Sequence, residues 1–145
     1  MKTFRALVVD KQDDKVTASF RELDRGSLPE GEVLVRVAYS SLNYKDGLAA
    51  GCRPGVIRKF PMVPGIDMAG TVEESSAAAW RPGDRVVMTG CGAGDAHWGG
   101  YAQLARLKAE WLVAQPSTMS AVQAMGIGTA GFTAMQSVMA LEERG

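Results

Sequence analysis

Asn43-Tyr44-Lys45-Asp46 places an amide, a phenol, an ammonium and a carboxylate side by side. The four follow closely on Val33, Val35, Val37 and Tyr39, which share one face of a strand while Arg36 and Ser40 take the other. They open a short helix that closes near Gly51. Reactive side chains are commonly carried on a connection held by a rigid scaffold, and the end of a strand is such a place. The same four residues also suit a plain turn with an Asx cap. Pattern alone leaves both readings open.

Three other stretches carry residues with chemical potential. Gly126-Ile127-Gly128-Thr129-Ala130-Gly131 matches the dinucleotide fingerprint G-x-G-x-x-G letter for letter. That fingerprint needs a strand before it, so that the turn aims a helix N-terminus at phosphate. Here Ser120 to Met125 reads as helix, so the glycines are expected to serve close packing at a joint between two helices. Gly90 to Gly100 is a glycine-rich loop containing His97, the only histidine. A local hydrogen-bonding role suits that histidine as well as a base would. Arg53, Arg58 and Lys59 lie in a loop with Pro54, Gly55 and Pro61, where phosphate attraction stands against a solvated basic loop.

The elements that must position these residues are mostly strands. Phe4 to Val9, Val16 to Arg21, Val33 to Tyr39, Ala69 to Glu73, Arg85 to Thr89, Tyr101 to Arg106 and Trp111 to Ala114 read as β, punctuated by Leu28-Pro29-Glu30-Gly31 and Arg81-Pro82-Gly83-Asp84. Many short strands of this kind predict a small barrel or sandwich. The last quarter changes period. Ser120 is placed as an N-cap, and Phe132, Met135, Val138, Met139 and Leu141 form an apolar helical face. The expected division is a β domain over residues 1–116 and connecting helices over residues 117–145.

Composition narrows the partners. Sixteen basic residues balance sixteen acidic ones in 145, so nothing selects nucleic acid or an anionic membrane surface. No apolar run approaches the ~20 residues of a bilayer span. Two cysteines, Cys52 and Cys91, make no disulfide framework and no metal motif, which makes a reducing cytoplasm the default expectation.

Longer matches go further. SSLNYKDGLA, IRKFPMVPGIDMAGTV, RPGDRVVMTGCGAGDAHWGGYAQLARLKAEWLVAQP and AMGIGTAGFTAMQSVMALEERG together resemble the medium-chain dehydrogenase/reductase superfamily, and within it the zinc-independent acrylyl-CoA reductase or quinone oxidoreductase-like branch. The resemblance implies a mainly β, GroES-like barrel with C-terminal helices, lacking the Rossmann domain expected to follow. It implies NADPH as cofactor, hydride delivery to the β-carbon of an α,β-unsaturated thioester, and a small-molecule substrate of acyl-CoA type. Quinone or enone reduction is the alternative, and a stand-alone GroES-like binding module is the rival of another class. A homodimer is one assembly the longer enzyme could take.

In zinc-dependent relatives a cysteine and a G-H-E motif supply the catalytic metal ligands. The corresponding positions here are Asn43 and Gly65-Ile66-Asp67. Asn is a poor zinc ligand and Ile is none, so no metal site is expected. The resemblance places Asn43, Tyr44, Lys45 and Asp46 in the active cleft. Asn43 and Tyr44 would serve an enolate oxygen as donors, and the Tyr44 ring would lie beside a nicotinamide. Lys45 would pair with Asp46 or face the cofactor. Thr129 and Thr133 would sit at the cleft floor near the nicotinamide, with helix-capping hydroxyls as their other reading. The resemblance further leads to the expectation that these 145 residues are the N-terminal part of a longer chain and inactive alone.

Overall fold

A computed structural model describes residues 2–145. Strands β1 (Thr3–Gln12) and β2 (Lys15–Asp24) form an antiparallel hairpin. Strands β3 (Val33–Tyr39), β4 (Asp67–Ser75), β5 (Arg85–Thr89), β6 (Leu104–Leu107) and β7 (Val113–Ala114) form a second sheet in the order β6-β3-β4-β5-β7, every neighbouring pair antiparallel. Helix α1 (Tyr44–Ala50) lies between β3 and β4, and α2 (Ala121–Glu142) follows β7. The mainly β architecture with helix at the C-terminal end is as the sequence pattern predicts. No helix among the described residues is long and apolar enough to cross a membrane.

Strand β3 sits second in its sheet and is covered on both sides. Val33 and Val35 join Met68, Val72, Val86, Met88 and Leu107 in one core. Leu34, on the opposite face, joins Phe4, Ala6, Val8, Val63 and Leu104 in another. The alternation read from sequence assigns Tyr39 to the buried face, but it is half-exposed, because β3 runs out beyond the core at its end. Leu34 is the converse case: the β1–β2 hairpin covers a face that one strand's alternation would leave to solvent. The hairpin is tied down through β1. Val9 and Met62 exchange backbone hydrogen bonds of 2.7 and 2.8 Å, and Leu7 N–H donates to the Tyr101 carbonyl at 2.9 Å. Strand β2 contributes little core, and Phe20 on it lies under the Arg5 guanidinium, 5.3 Å from the ring centroid.

Helix α2 opens as the sequence predicts. Ser120 Oγ accepts from Gln123 N–H at 3.2 Å, and Gln123 Oε1 accepts from Ser120 N–H at 2.9 Å, a reciprocal capping box. The expected pair of helices is present as two segments within Ala121–Glu142 that meet at Gly128, whose φ of 48° and ψ of −159° are not helical. Before the break, Ala124 and Met125 pack on Ala69 of β4. After it, Phe132, Met135, Val138, Met139 and Leu141 are exposed.

The glycines at 126 and 128 therefore differ in kind. A Cβ on Gly128 would fall 2.7 Å from a carboxylate oxygen of Asp67, at a positive φ that side chains rarely adopt, whereas a Cβ on Gly126 meets nothing within 4 Å. Gly128→Ala is expected to destabilise the protein by about 1–3 kcal/mol. Gly126→Ala, in regular helix, should instead stabilise it by about 0.5–1 kcal/mol. Chemical denaturation of the two variants beside the parent would show the opposite signs, and equal effects would contradict the break at Gly128.

Candidate active site

The site begins where β3 ends. Antiparallel pairing of β3 with β4 sets Tyr39 opposite Ala69, so the chain leaving β3 at Ser40 and Ser41 meets the chain entering β4 at Asp67. Ser40 Oγ donates to the Asp67 carbonyl at 2.6 Å. The Asp67 side chain is completely buried. Its Oδ2 accepts from Ser41 Oγ at 2.6 Å, Asn43 Nδ2 at 2.9 Å and Thr129 N–H at 2.9 Å, while Oδ1 accepts from Thr129 Oγ1 at 2.5 Å. Burial pushes this carboxyl's pKa up, but the donors from Ser41, Thr129 and Asn43 together outweigh it and hold the group below the ordinary aspartate value.

Thr129 is the first residue past the break in α2, so its N–H is one of the unpaired donors of the second helical segment. The Asp67 carboxylate caps that segment from outside and meets the positive end of its dipole. The site that G-x-G-x-x-G would offer a pyrophosphate is filled by a protein carboxylate, and the stretch lies inside a helix rather than between a strand and a helix. The reading of these glycines as a helical joint agrees with this geometry.

Asp46 is a second buried carboxylate, 1% exposed. It lies in the first turn of α1 and reaches back to accept from Asn43 N–H at 2.9 Å and Asn43 Nδ2 at 3.2 Å, while its Oδ1 accepts from Ile66 N–H at 2.9 Å. It therefore clamps the start of α1 to the segment before β4. The Asn43 amide nitrogen stands between the two carboxylates and also donates to Ser41 Oγ at 2.9 Å. Tyr101 closes this layer, its hydroxyl donating to the Ser41 carbonyl at 3.0 Å. Burial first, and then the charges of Asp46 and Asp67, push its pKa up to about 12, so it stays protonated as a donor.

The structure thus brings the four consecutive residues together with unequal roles. Asn43 and Asp46 face inward and hold the loop. Tyr44 is 84% exposed and, with Leu42, Asn43, Gly47 and Leu48, lines a shallow groove of about 380 Å³. Lys45 pairs not with Asp46 but with Asp95 of the glycine-rich loop, Nζ to Oδ2 2.5 Å, because Asp46 is turned under the helix to Asn43 and Ile66. Thr129 and Thr133 are joined to each other, Thr133 Oγ1 donating to the Thr129 carbonyl at 2.9 Å. His97 is braced between carbonyls, Nδ1 3.0 Å from Trp98 O and Nε2 3.1 Å from Glu30 O, and packs edge-on to Trp111. That arrangement matches a local hydrogen-bonding residue.

Sequence reasoning missed Ser41, Tyr101 and Asp95. Asp95 had a usable signal, a lone acid among glycines and alanines. Asp67 was noticed only as a position where relatives hold metal; a charged residue inside Met62-Val63-Pro64-Gly65-Ile66-Asp67-Met68-Ala69 demands buried partners. Among the described residues, no three His, Cys, Asp or Glu side chains gather as a metal-ligand set.

Comparison with known proteins bears on this arrangement. Residues 29–117 match the alcohol dehydrogenase GroES-like domain family. The chain is 56% identical over 144 residues to the acrylyl-CoA reductase AcuI of Ruegeria pomeroyi, covering 98% of this chain and 44% of that protein. Among solved structures it resembles the yhdH oxidoreductase of Salmonella enterica in complex with NADP, with a TM-score of 0.92 and 52% identity over 96% of this chain and 43% of that one. It also resembles the Bacillus subtilis protein yhfP with NAD bound, with a TM-score of 0.93 and 40% identity over 100% of this chain and 44% of that one. The chain spans less than half the length of each of these relatives.

Asp67→Asn tests the centre of the site. All four partners are donors, and an amide would turn two further donors on them. The variant is expected to lose about 1–3 kcal/mol at neutral pH. Because folding depresses the Asp67 pKa, its contribution is present above the unfolded value near ~3.9 and disappears as pH falls through the lower folded value. The stability gap between parent and variant should therefore close in strong acid. Urea midpoints measured from neutral pH downward would show it, and a gap independent of pH would refute the assignment.

Proposed function

The chain belongs to the alcohol dehydrogenase GroES-like domain family of the medium-chain dehydrogenases/reductases, and on that premise we propose that it is the substrate-facing domain of an NADPH-dependent reductase of α,β-unsaturated thioesters, working without zinc. The observation that carries the reading is Asp67. At a position where zinc relatives keep a ligand, its carboxylate is occupied by four protein donors and has no open face for a cation.

On this reading NADPH supplies hydride to the β-carbon of the substrate, and the charge that arrives on the thioester oxygen needs donors around it. We assign Tyr44 to meet the reacting partners, a reading supported by its exposed side chain at the groove. Asn43, which the sequence casts as a second donor, has its amide nitrogen turned toward Ser41, Asp46 and Asp67, and so holds Tyr44 in place. Asp46 fixes the first turn of α1 beneath it. We assign the nicotinamide to the side of Tyr44, with Thr129 and Thr133 as the nearest family-implied partners, whereas a pyrophosphate does not fit at Gly126–Gly131, where Asp67 already takes the Thr129 N–H. The dinucleotide's phosphates must be held elsewhere in the enzyme. Quinone or enone reduction is the second reading, favoured by the exposed Leu42 and Tyr44 at the groove, which suit a flat ring.

Kinetics of the complete enzyme would decide between these. Acrylyl-CoA should be reduced with a kcat/KM at least about tenfold above that of a simple quinone, a difference of ~1.4 kcal/mol in transition-state binding. Tyr44→Phe should lower kcat by roughly 10²-fold if the hydroxyl serves the developing charge. A chelator should leave the rate unchanged. A preference for quinones would favour the second reading, full turnover in Tyr44→Phe would remove the hydroxyl from the chemistry, and chelator sensitivity would overturn the zinc-free mechanism.

A further inference from the structure

Asp95 is 3% exposed and lies in the glycine-rich loop between β5 and β6. Its Oδ2 takes Lys45 Nζ at 2.5 Å and stands 3.9 Å from Arg58 Nε, while its Oδ1 has no hydrogen-bond partner among the described residues. A carboxylate this deeply buried with one bare oxygen is costly unless nearby positive charge compensates it. Two cations against one anion do more than compensate, and leave a net positive site. We propose that Lys45 and Arg58, held together by Asp95, form a clamp for the phosphate of a phosphate-bearing ligand, and that under the thioester reading this phosphate belongs to the substrate's coenzyme A carrier.

Four observations carry the inference. Both cations stay accessible, with side chains 46% and 73% exposed. Arg58 is paired at 3.9 Å by charge and not by a hydrogen bond, so its planar fork is not engaged by Asp95 and can take phosphate in two-point fashion. The loop carrying Arg58 is already fixed by backbone, Arg58 N–H donating to the Asp95 carbonyl at 2.9 Å. The buried carboxylate is thus not needed to join the two loops; what it adds is a pair of cations held side by side against their own repulsion. Finally, Lys45 follows directly in α1 on Tyr44, which lines the groove with Leu42, Asn43, Gly47 and Leu48. A ligand whose reacting end lies against Tyr44 could run its charged tail to Lys45 and Arg58.

The clamp rests on the proposed function only for the source of the phosphate, since the 2′-phosphate of NADPH has the same chemistry. Calorimetry with the complete protein needs no turnover. Wild type should bind coenzyme A, and the exposed Arg58→Ala should weaken it by about tenfold, as expected for one charge-assisted contact, with a smaller loss at high salt. Binding of phosphate-free pantetheine should change by less than about twofold, as for an ordinary surface substitution. Arg58→Gln, which keeps the stem, should behave as Arg58→Ala does. KM values for NADPH and NADH form the second arm. A rise for NADPH alone, with coenzyme A binding untouched, would support the clamp and assign it to the cofactor. Losses equal for phosphate-bearing and phosphate-free ligands, or no change in either arm, would overturn it. An enzyme that binds coenzyme A through Arg58 yet reduces no thioester would sink the proposed function and leave the clamp standing.

Discussion

A carboxylate stripped of water is unstable as an ion unless donors replace the water, and Asp67 is stripped completely. Ser41, Asn43, and Thr129 through both its N–H and its hydroxyl supply that replacement. Each donor comes from a different distance along the chain, one and three residues past Ser40 on the way out of β3 and another sixty-two residues beyond Asp67 in α2. The ion can exist only when those segments are assembled, and the segments are held in register by the ion. The break in α2 belongs to the same arrangement. Without the non-helical turn at Gly128, the Thr129 N–H would be used within the helix and could not reach the carboxylate.

The second buried carboxylate makes the arrangement more demanding. Asp46 and Asp67 are both acceptors of the same Asn43 amide nitrogen, at 3.2 and 2.9 Å. Two carboxyl groups near one another disfavour each other's charge, and an N–H pair placed between them offsets that repulsion. Tyr101 feels both charges as well, which is part of why its hydroxyl stays protonated and serves as a donor to Ser41. Asn43 is therefore committed inward, and the residue after it is the first free to face outward. That division of labour within four consecutive residues is set by helix geometry, since position one of α1 projects out and position three folds back to the cap.

Much of the fold was legible. The strands, the Ser120 cap, the short helix after β3 and the helical setting of Gly126–Gly131 are local matters of period and propensity, and each is where the pattern puts it, except that β6 starts at Leu104 instead of Tyr101 and Trp111 ends a 3-10 turn before the short β7. What pattern could not reach was cross-chain pairing. Leu34 looks solvent-facing until the β1–β2 hairpin is known to cover it, and Tyr39 looks buried until β3 is known to outrun its core. Lys45 beside Asp46 looks like a pair, yet it reaches fifty residues on to Asp95. The quartet is proposed for the cleft only through the resemblance to a family. Its electrostatics are not legible even so, because Asp67, Asp95 and Tyr101 act from distant segments and no local pattern names the groups they meet.

The sign of the local charge constrains any chemistry here. In zinc relatives the segments at Asn43 and Asp67 would be joined by a shared cation; in this chain a 2.9 Å hydrogen bond joins them, and the buried layer holds two anions instead. A substrate oxygen gaining negative charge next to that layer would be repelled by it. On the proposed reading the charge must develop on the far side of Tyr44, away from Asp46 and Asp67. Lys45 is the next residue after Tyr44 in α1, and Arg58 stands with it at Asp95. The cations do not replace a metal, because both are exposed and already face the Asp95 carboxylate. On the proposed reading they put positive charge one residue along from Tyr44, opposite in sign to the carboxylate that Asn43 holds from the other side. On that reading, leaving Asp95 as the only charge of the three would repel an anionic carrier, which is why Lys45, Arg58 and Asp95 have to be considered as one unit.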